Sequence, residues 1–88
     1  GSDCEIEEFT LTENLEDIQS FTSKNESASY FIKPNGAQLL ATKVSGKLTG
    51  NPKGNVTLSP GMILIFLGSQ EQLESIRHTL GEVLVKNT

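Results

Sequence analysis

The stretch LSPGMILIFLGSQEQLESI, residues 58–76, decides the fold. A Ser-Pro-Gly turn runs into six consecutive apolar residues, Met62 to Leu67, which stop at Gly68-Ser69. A half-exposed strand alternates apolar and polar side chains, whereas an unbroken apolar run marks a strand buried on both faces at the centre of a sheet. Leaving one face of Met62–Leu67 in water would expose three large side chains, each stabilising by ~1.5–3 kcal/mol when buried. Two faces need two covers. The following segment supplies one: Ser69 and Gln72 have the spacing of a capping box, Leu73, Ile76 and Leu80 fall on one helical face, and Gly81 is a natural stop. The spacing predicts a helix over 70–80 that folds back on the sheet. The second cover is either a short helix nearer the N-terminus or another copy of the chain.

Working outward, Ser45-Gly46 predicts a tight turn between the strand QLLATKV and a return strand KLTG that breaks at Gly50-Asn51-Pro52. Upstream, SYFIKP reads as a short extended segment that Pro34 confines to an edge or an end, PNG as a turn, and TSKNESAS as a loop. EIEEFTLT reads as a strand with a slip at Glu7-Glu8 that suggests a bulge or an edge. A short helix follows, with Thr12 as N-cap, acids in its first turn, and Leu15, Ile18 and Phe21 on one face. The expected fold class is α+β: a small, mostly antiparallel sheet packed with two helices, and dimeric.

At 88 residues the chain is one small domain. Gly1-Ser2 reads as a cloning scar, residues 1–2, ahead of a module over 3–88 taken from a longer protein. A domain of this size buries only ~60–65% of the surface its unfolded chain exposes. With Cys4 as the only cysteine, no disulfide reinforces it, and a subunit interface is the remaining way to enlarge the core. A single cysteine also fits a reducing compartment. No stretch is long and apolar enough to span a bilayer as a helix.

The net charge of −4 is unevenly spread. Residues 1–26 hold eight acids and one lysine, whereas residues 27–70 hold Lys33, Lys43, Lys47 and Lys53 and no acid. An anionic ligand would be sought in that middle segment. Nucleic acid is not expected, because the chain is acidic and no aromatic residues interleave with the lysines.

Catalysis has little to work with. One His and one Cys lie far apart, no GxSxG occurs, and no glycine-rich run joins a strand to a helix. His78 falls on the polar side of the second helix beside Arg77. Asp3, Glu5, Glu7 and Glu8 form an acidic patch, but strand alternation sends Glu5 and Glu7 to one face and Glu8 to the other, against convergence on a metal ion. No enzyme, cofactor or metal site is expected.

The order strand, short helix, hairpin, with LLATKVSGKLTGNP and then Leu58, Gly61, Leu64, Gly68 and SQEQL at their spacing, resembles the TrkA-C domain, also called the RCK C-terminal (regulator of K+ conductance) domain. The likeness is densest over 39–80; the family's usual Asp after the strand-leading Gly is Met62 here, and a frequent Arg is Lys43. The resemblance implies a cytosolic regulatory domain of a potassium channel or another ion-transport protein. It implies a homodimer that works with a transmembrane pore or carrier of the parent protein, on the cytoplasmic side of the membrane. In some members a small anionic ligand, cyclic di-AMP, binds at the dimer interface. The matching ligand positions are Leu39, Leu40, Thr42, Lys43, Asn51 and Pro52. Two alternatives stand beside it: a dimerisation module without ligand, and a lipoyl- or biotinyl-type carrier domain, which would need an exposed lysine at a hairpin tip.

Overall fold

The structure, a computed structural model, describes residues 4–25, 36–52 and 56–85. Four strands, β1 (Cys4–Thr10), β2 (Gln38–Val44), β3 (Lys47–Gly50) and β4 (Ile63–Ser69), form one antiparallel sheet in the order β1-β4-β2-β3. Two helices, α1 (Leu15–Asn25) and α2 (Gln70–Thr79), complete an α+β domain. The apolar run is the central strand, as its pattern requires: β4 pairs with β1 on one side and β2 on the other.

Strand alternation divides β4 between two environments. Leu64, Phe66 and the preceding Met62 are buried against Leu73, Ile76 and Leu80 from α2 and its end, and against Ile18 and Phe21 of α1. Ile63, Ile65 and Leu67 point the other way and are only half-buried. The first helix therefore joins the second in one layer and does not cover the opposite face. Phe9 of β1 meets Phe66 edge-on, with ring centroids 5.8 Å apart.

α2 begins without a connecting loop: Ser69 ends β4 and caps the helix. Its hydroxyl accepts from the Gln72 N–H at 3.1 Å, and the Ser69 N–H donates to Gln72 Oε1 at 2.7 Å. The helix stops at Thr79, with Leu80 as C-cap; Gly81 follows without a left-handed φ, so its lack of a side chain is not what ends the helix. The chain then turns back, and Leu84 bridges Leu11 beside the end of β1, with the Val85 N–H donating to the Thr10 carbonyl at 2.9 Å.

Several local expectations shift. α1 is capped by Asn14, whose Oδ1 accepts from the Glu16 N–H at 2.9 Å; Thr12, the expected cap, instead accepts from the Asn14 N–H. Asn14 wins because it alone sits two residues before an unpaired helical donor. The helix runs on through 22–25, read from sequence as loop. The Thr22 and Ser23 hydroxyls there donate to carbonyls one turn back, an internal solution for residues that usually compete with helices. Leu15 is exposed, leaving Ile18 and Phe21 as the packed face. β1 pairs in continuous register through Glu7-Glu8, so there is no bulge, and the strand is instead an edge of the sheet, the other reading of that slip. The irregularity lies in β2, between Leu39 and Ala41. Val56 to Leu58 carry no strand, and the extended segment expected at 29–34 lies outside the described residues.

Candidate functional site

The β2–β3 hairpin turns at Ser45-Gly46, whose φ angles of 50° and 81° are those of a two-residue turn with both central residues left-handed. Such a turn fixes register, pairing Lys43 with Leu48 and Ala41 with Gly50. On the other side of β2, Leu39 faces Phe66, Ala41 faces Ile65, Thr42 faces Leu64 and Lys43 faces Ile63. Leu40 is the extra residue. An inserted residue changes the phase of everything after it. Without it, Lys43 would share the face of Leu39 and enter the core. With it, Leu39 and Thr42 turn to the helices and are buried, while Lys43 is exposed on the opposite, helix-free face, so called because no helix among the described residues covers it.

The six residues expected at a ligand site are thereby split. Leu39 and Thr42 belong to the interior. Lys43 stands on the open face, Leu40 is half-buried outside the helix-side core, and Asn51 is tied to Leu40 through its N–H, which donates to the Leu40 carbonyl at 2.7 Å. Asn51 takes a φ of 50°, which its short polar side chain tolerates, and Pro52 follows half-buried. Leu40, Asn51 and Pro52 thus remain available where β2 meets the end of β3, with Lys43 two pairs nearer the hairpin turn, across from Leu48. In chemical terms they offer one cation, one amide and apolar surface. A lysine ammonium neutralises an anion as a point charge, without the paired geometry of a guanidinium.

A second polar arrangement joins residues 70 apart in sequence. Arg77 of α2 donates from Nη2 to both carboxylate oxygens of Glu7, at 2.8 and 2.6 Å, and from Nη1 to Glu74. Its guanidinium carbon lies 6.0 Å from the centre of the Phe9 ring. Glu7 and Phe9 share the helix-side face of β1, so the pair clips the rim of the core at that edge. Sequence periodicity placed Arg77 off the apolar face but held no signal for Glu7 as its partner, because the pairing depends on how α2 crosses β1.

A cleft of about 520 Å³ lies between α1 and the end of α2, lined by Asp17, Ser20, Phe21, His78, Glu82 and Val83 among others. His78 is exposed at its rim. Among the described residues, no group of three or more His, Cys, Asp or Glu side chains is arranged to hold a metal ion, and no helix is long and apolar enough to cross a membrane. Asp3, the first residue of the acidic patch, lies outside the described residues; Glu5 and Glu7 share one face of β1 and Glu8 the other. A scan of protein-family models finds no match to this chain, and a search of curated proteins finds no significant relative.

Proposed function

We propose that the chain is a regulatory domain of an ion-transport protein, working on the cytoplasmic side of the membrane as a homodimer. In this reading a small anionic ligand held at Lys43 changes the relation of the two copies. The observation that carries it is the bulge at Leu40, which brings Lys43 out of the core and onto the helix-free face of the strand whose Leu40 carbonyl holds Asn51. A buried lysine would be useless to a ligand, and a lysine on an isolated hairpin would lack the apolar floor that a nucleotide base needs. The TrkA-C-like pattern over 39–80 supports the same reading. A ligand shifts such a device only by binding one arrangement of the subunits more tightly than another.

Calorimetric titration with cyclic di-AMP tests this. The expected result is one ligand per two chains, with Lys43→Ala weakening binding by about tenfold, the order of one charge-assisted contact. Absence of heat at millimolar ligand would remove the sensing role and leave an assembly module. The interior positions of Leu39 and Thr42 favour that second reading, since they shrink the expected pocket. The carrier-domain alternative has less support: Ser45 and Gly46 form the hairpin tip, and Lys47 lies beyond it as the first residue of β3.

A further inference from the structure

The helix-free face of the sheet carries its own pattern. Cross-strand partners share a face, so Ile63, Ile65 and Leu67 are joined there by Ile6 across from Leu67, Ala41 across from Ile65, and Leu48 across from Lys43. Ile6 and Leu48 are 65% and 60% exposed. None of the six belongs to the helix-side core. Among the described residues, two charges flank this stripe: Glu8, on the β1 side of Ile65, and Lys43, on the β2 side of Ile63.

We infer that this face packs against the same face of a second copy, about a two-fold axis parallel to β4. The inference deepens the reading above and rests on its claim that the domain self-associates. The charges choose the axis. Two stacked sheets related by an axis parallel to β4 place each β1 over the other copy's β2, so each Glu8 comes diagonally beside a Lys43. An axis perpendicular to the strands places β1 over β1 and gathers like charges. The apolar stripe supplies the attraction and the flanking charges supply the orientation, a division in which rim pairs set register more than affinity.

The size of the face sets the strength. The seven residues of β4 and its two neighbours give a patch of roughly 24 by 14 Å in plan, from ~3.4 Å per residue and ~4.8 Å per strand. Two such faces amount to roughly 700 Å² in plan, below the ~1,200–2,000 Å² of standard specific interfaces, so the expected pairing is weak and concentration-dependent. There is a functional consequence: an anion arriving at Lys43 competes with Glu8 of the partner subunit and loosens one orientation of the pair.

Sedimentation across concentration, with Glu8→Lys, Lys43→Glu and their equimolar mixture, tests the inference. Both positions are exposed, so folding is checked by circular dichroism and is expected to be unchanged. Each variant alone places like charges at both contacts and is expected to dimerise several-fold more weakly; the mixture restores both opposite-charge contacts and is expected to pair at least as well as the wild type. The single cysteine gives a second readout, because Cys4 is exposed and lies on this face opposite Ser69. Spin labels on Cys4 should report a separation of ~10–20 Å for the axis parallel to β4 and beyond ~25 Å for the perpendicular one, from strand and sheet spacings. A dimer indifferent to the charge variants, with the longer label distance, overturns this interface while leaving self-association intact. A monomer at the highest accessible concentration overturns both.

Discussion

The two faces of the one sheet are nearly equal in sequence and unequal in structure. Along β4 the residues alternate Ile63, Leu64, Ile65, Phe66, Leu67, all apolar, yet Leu64 and Phe66 are fully buried under two helices and their neighbours are not. On one face the chain supplies every partner: α2 follows β4 with no loop, and α1 completes the layer. On the other, no helix among the described residues lies over the side chains, and Ile63, Ile65 and Leu67 stay half-buried. The same hydrophobic signal therefore has two outcomes. On one face it holds the monomer together, and on the other it leaves apolar side chains half-buried.

Truncating one residue on each face separates the two environments. Phe66→Ala removes a wholly buried ring that packs edge-on against Phe9, and it should destabilise by about 3–5 kcal/mol. That is a large share of the ~4–13 kcal/mol expected for a chain of this length. Ile65→Ala, its neighbour, should cost only about 1 kcal/mol when urea unfolding is followed at concentrations where the chain is monomeric. Equal losses at the two positions would mean that the helix-free face is already covered within one chain, and the dimer interface proposed above would lose its basis.

A smaller effect sharpens the contrast at the joint between the layers. Ser69 ends β4 and caps α2, so it fixes the angle at which the helix returns over the core face. Ser69→Ala should lower stability by ~1 kcal/mol through loss of the reciprocal hydrogen bonds with Gln72. Gly68 belongs to the same device. A side chain there would come within 3.0 Å of Gln72 Oε1 and 3.2 Å of the Ala37 Cβ, so the close return of the helix depends on its absence. Thermal unfolding with matched heats separates a lost cap, which leaves the unfolding heat nearly intact, from a lost layer, which does not.

What was legible in the sequence follows the same division. β4, the Ser45-Gly46 hairpin and the capping box are local patterns, each contained in a few consecutive residues whose own chemistry specifies them. The bulge at Leu40 is not local: it shows only in how β2 pairs with β4, and LLATKV carries no Gly or Pro to announce it. It reassigns the faces of Ala41, Thr42 and Lys43. Alternation read straight through the strand would therefore misplace half of the candidate site. The helix extension through Thr22 and Ser23 was hidden for another reason, since small polar residues carry no apolar period even when their hydroxyls are satisfied inside the helix. Glu8 was visible as an acid in an acidic segment, but its position across from Ile65, on the opposite flank from Lys43, exists only once the strand order β1-β4-β2 is known.

The smallest predicted effect concerns the rim where the two faces of the sheet diverge most in character. Glu7 and Glu8 are adjacent acids, but Glu7 turns toward the helices and meets Arg77, while Glu8 turns to the open face. Arg77 and Glu7 keep 41% and 34% of their side-chain surface in contact with solvent, so their pairing should be screened and worth at most about 1 kcal/mol. Glu7→Gln should therefore lower stability by a few tenths of a kcal/mol to about 1 in low salt, and the difference from wild type should shrink as salt is raised. Arg77→Met should retain part of the stabilisation, because the arginine stem and its approach to the Phe9 ring contribute packing that charge removal alone does not abolish. A Glu7→Gln loss that persists undiminished in molar salt would show that the contact is held by shape, with Glu7 filling the edge of the core layer, and that this face needs its β1 rim closed to be stable.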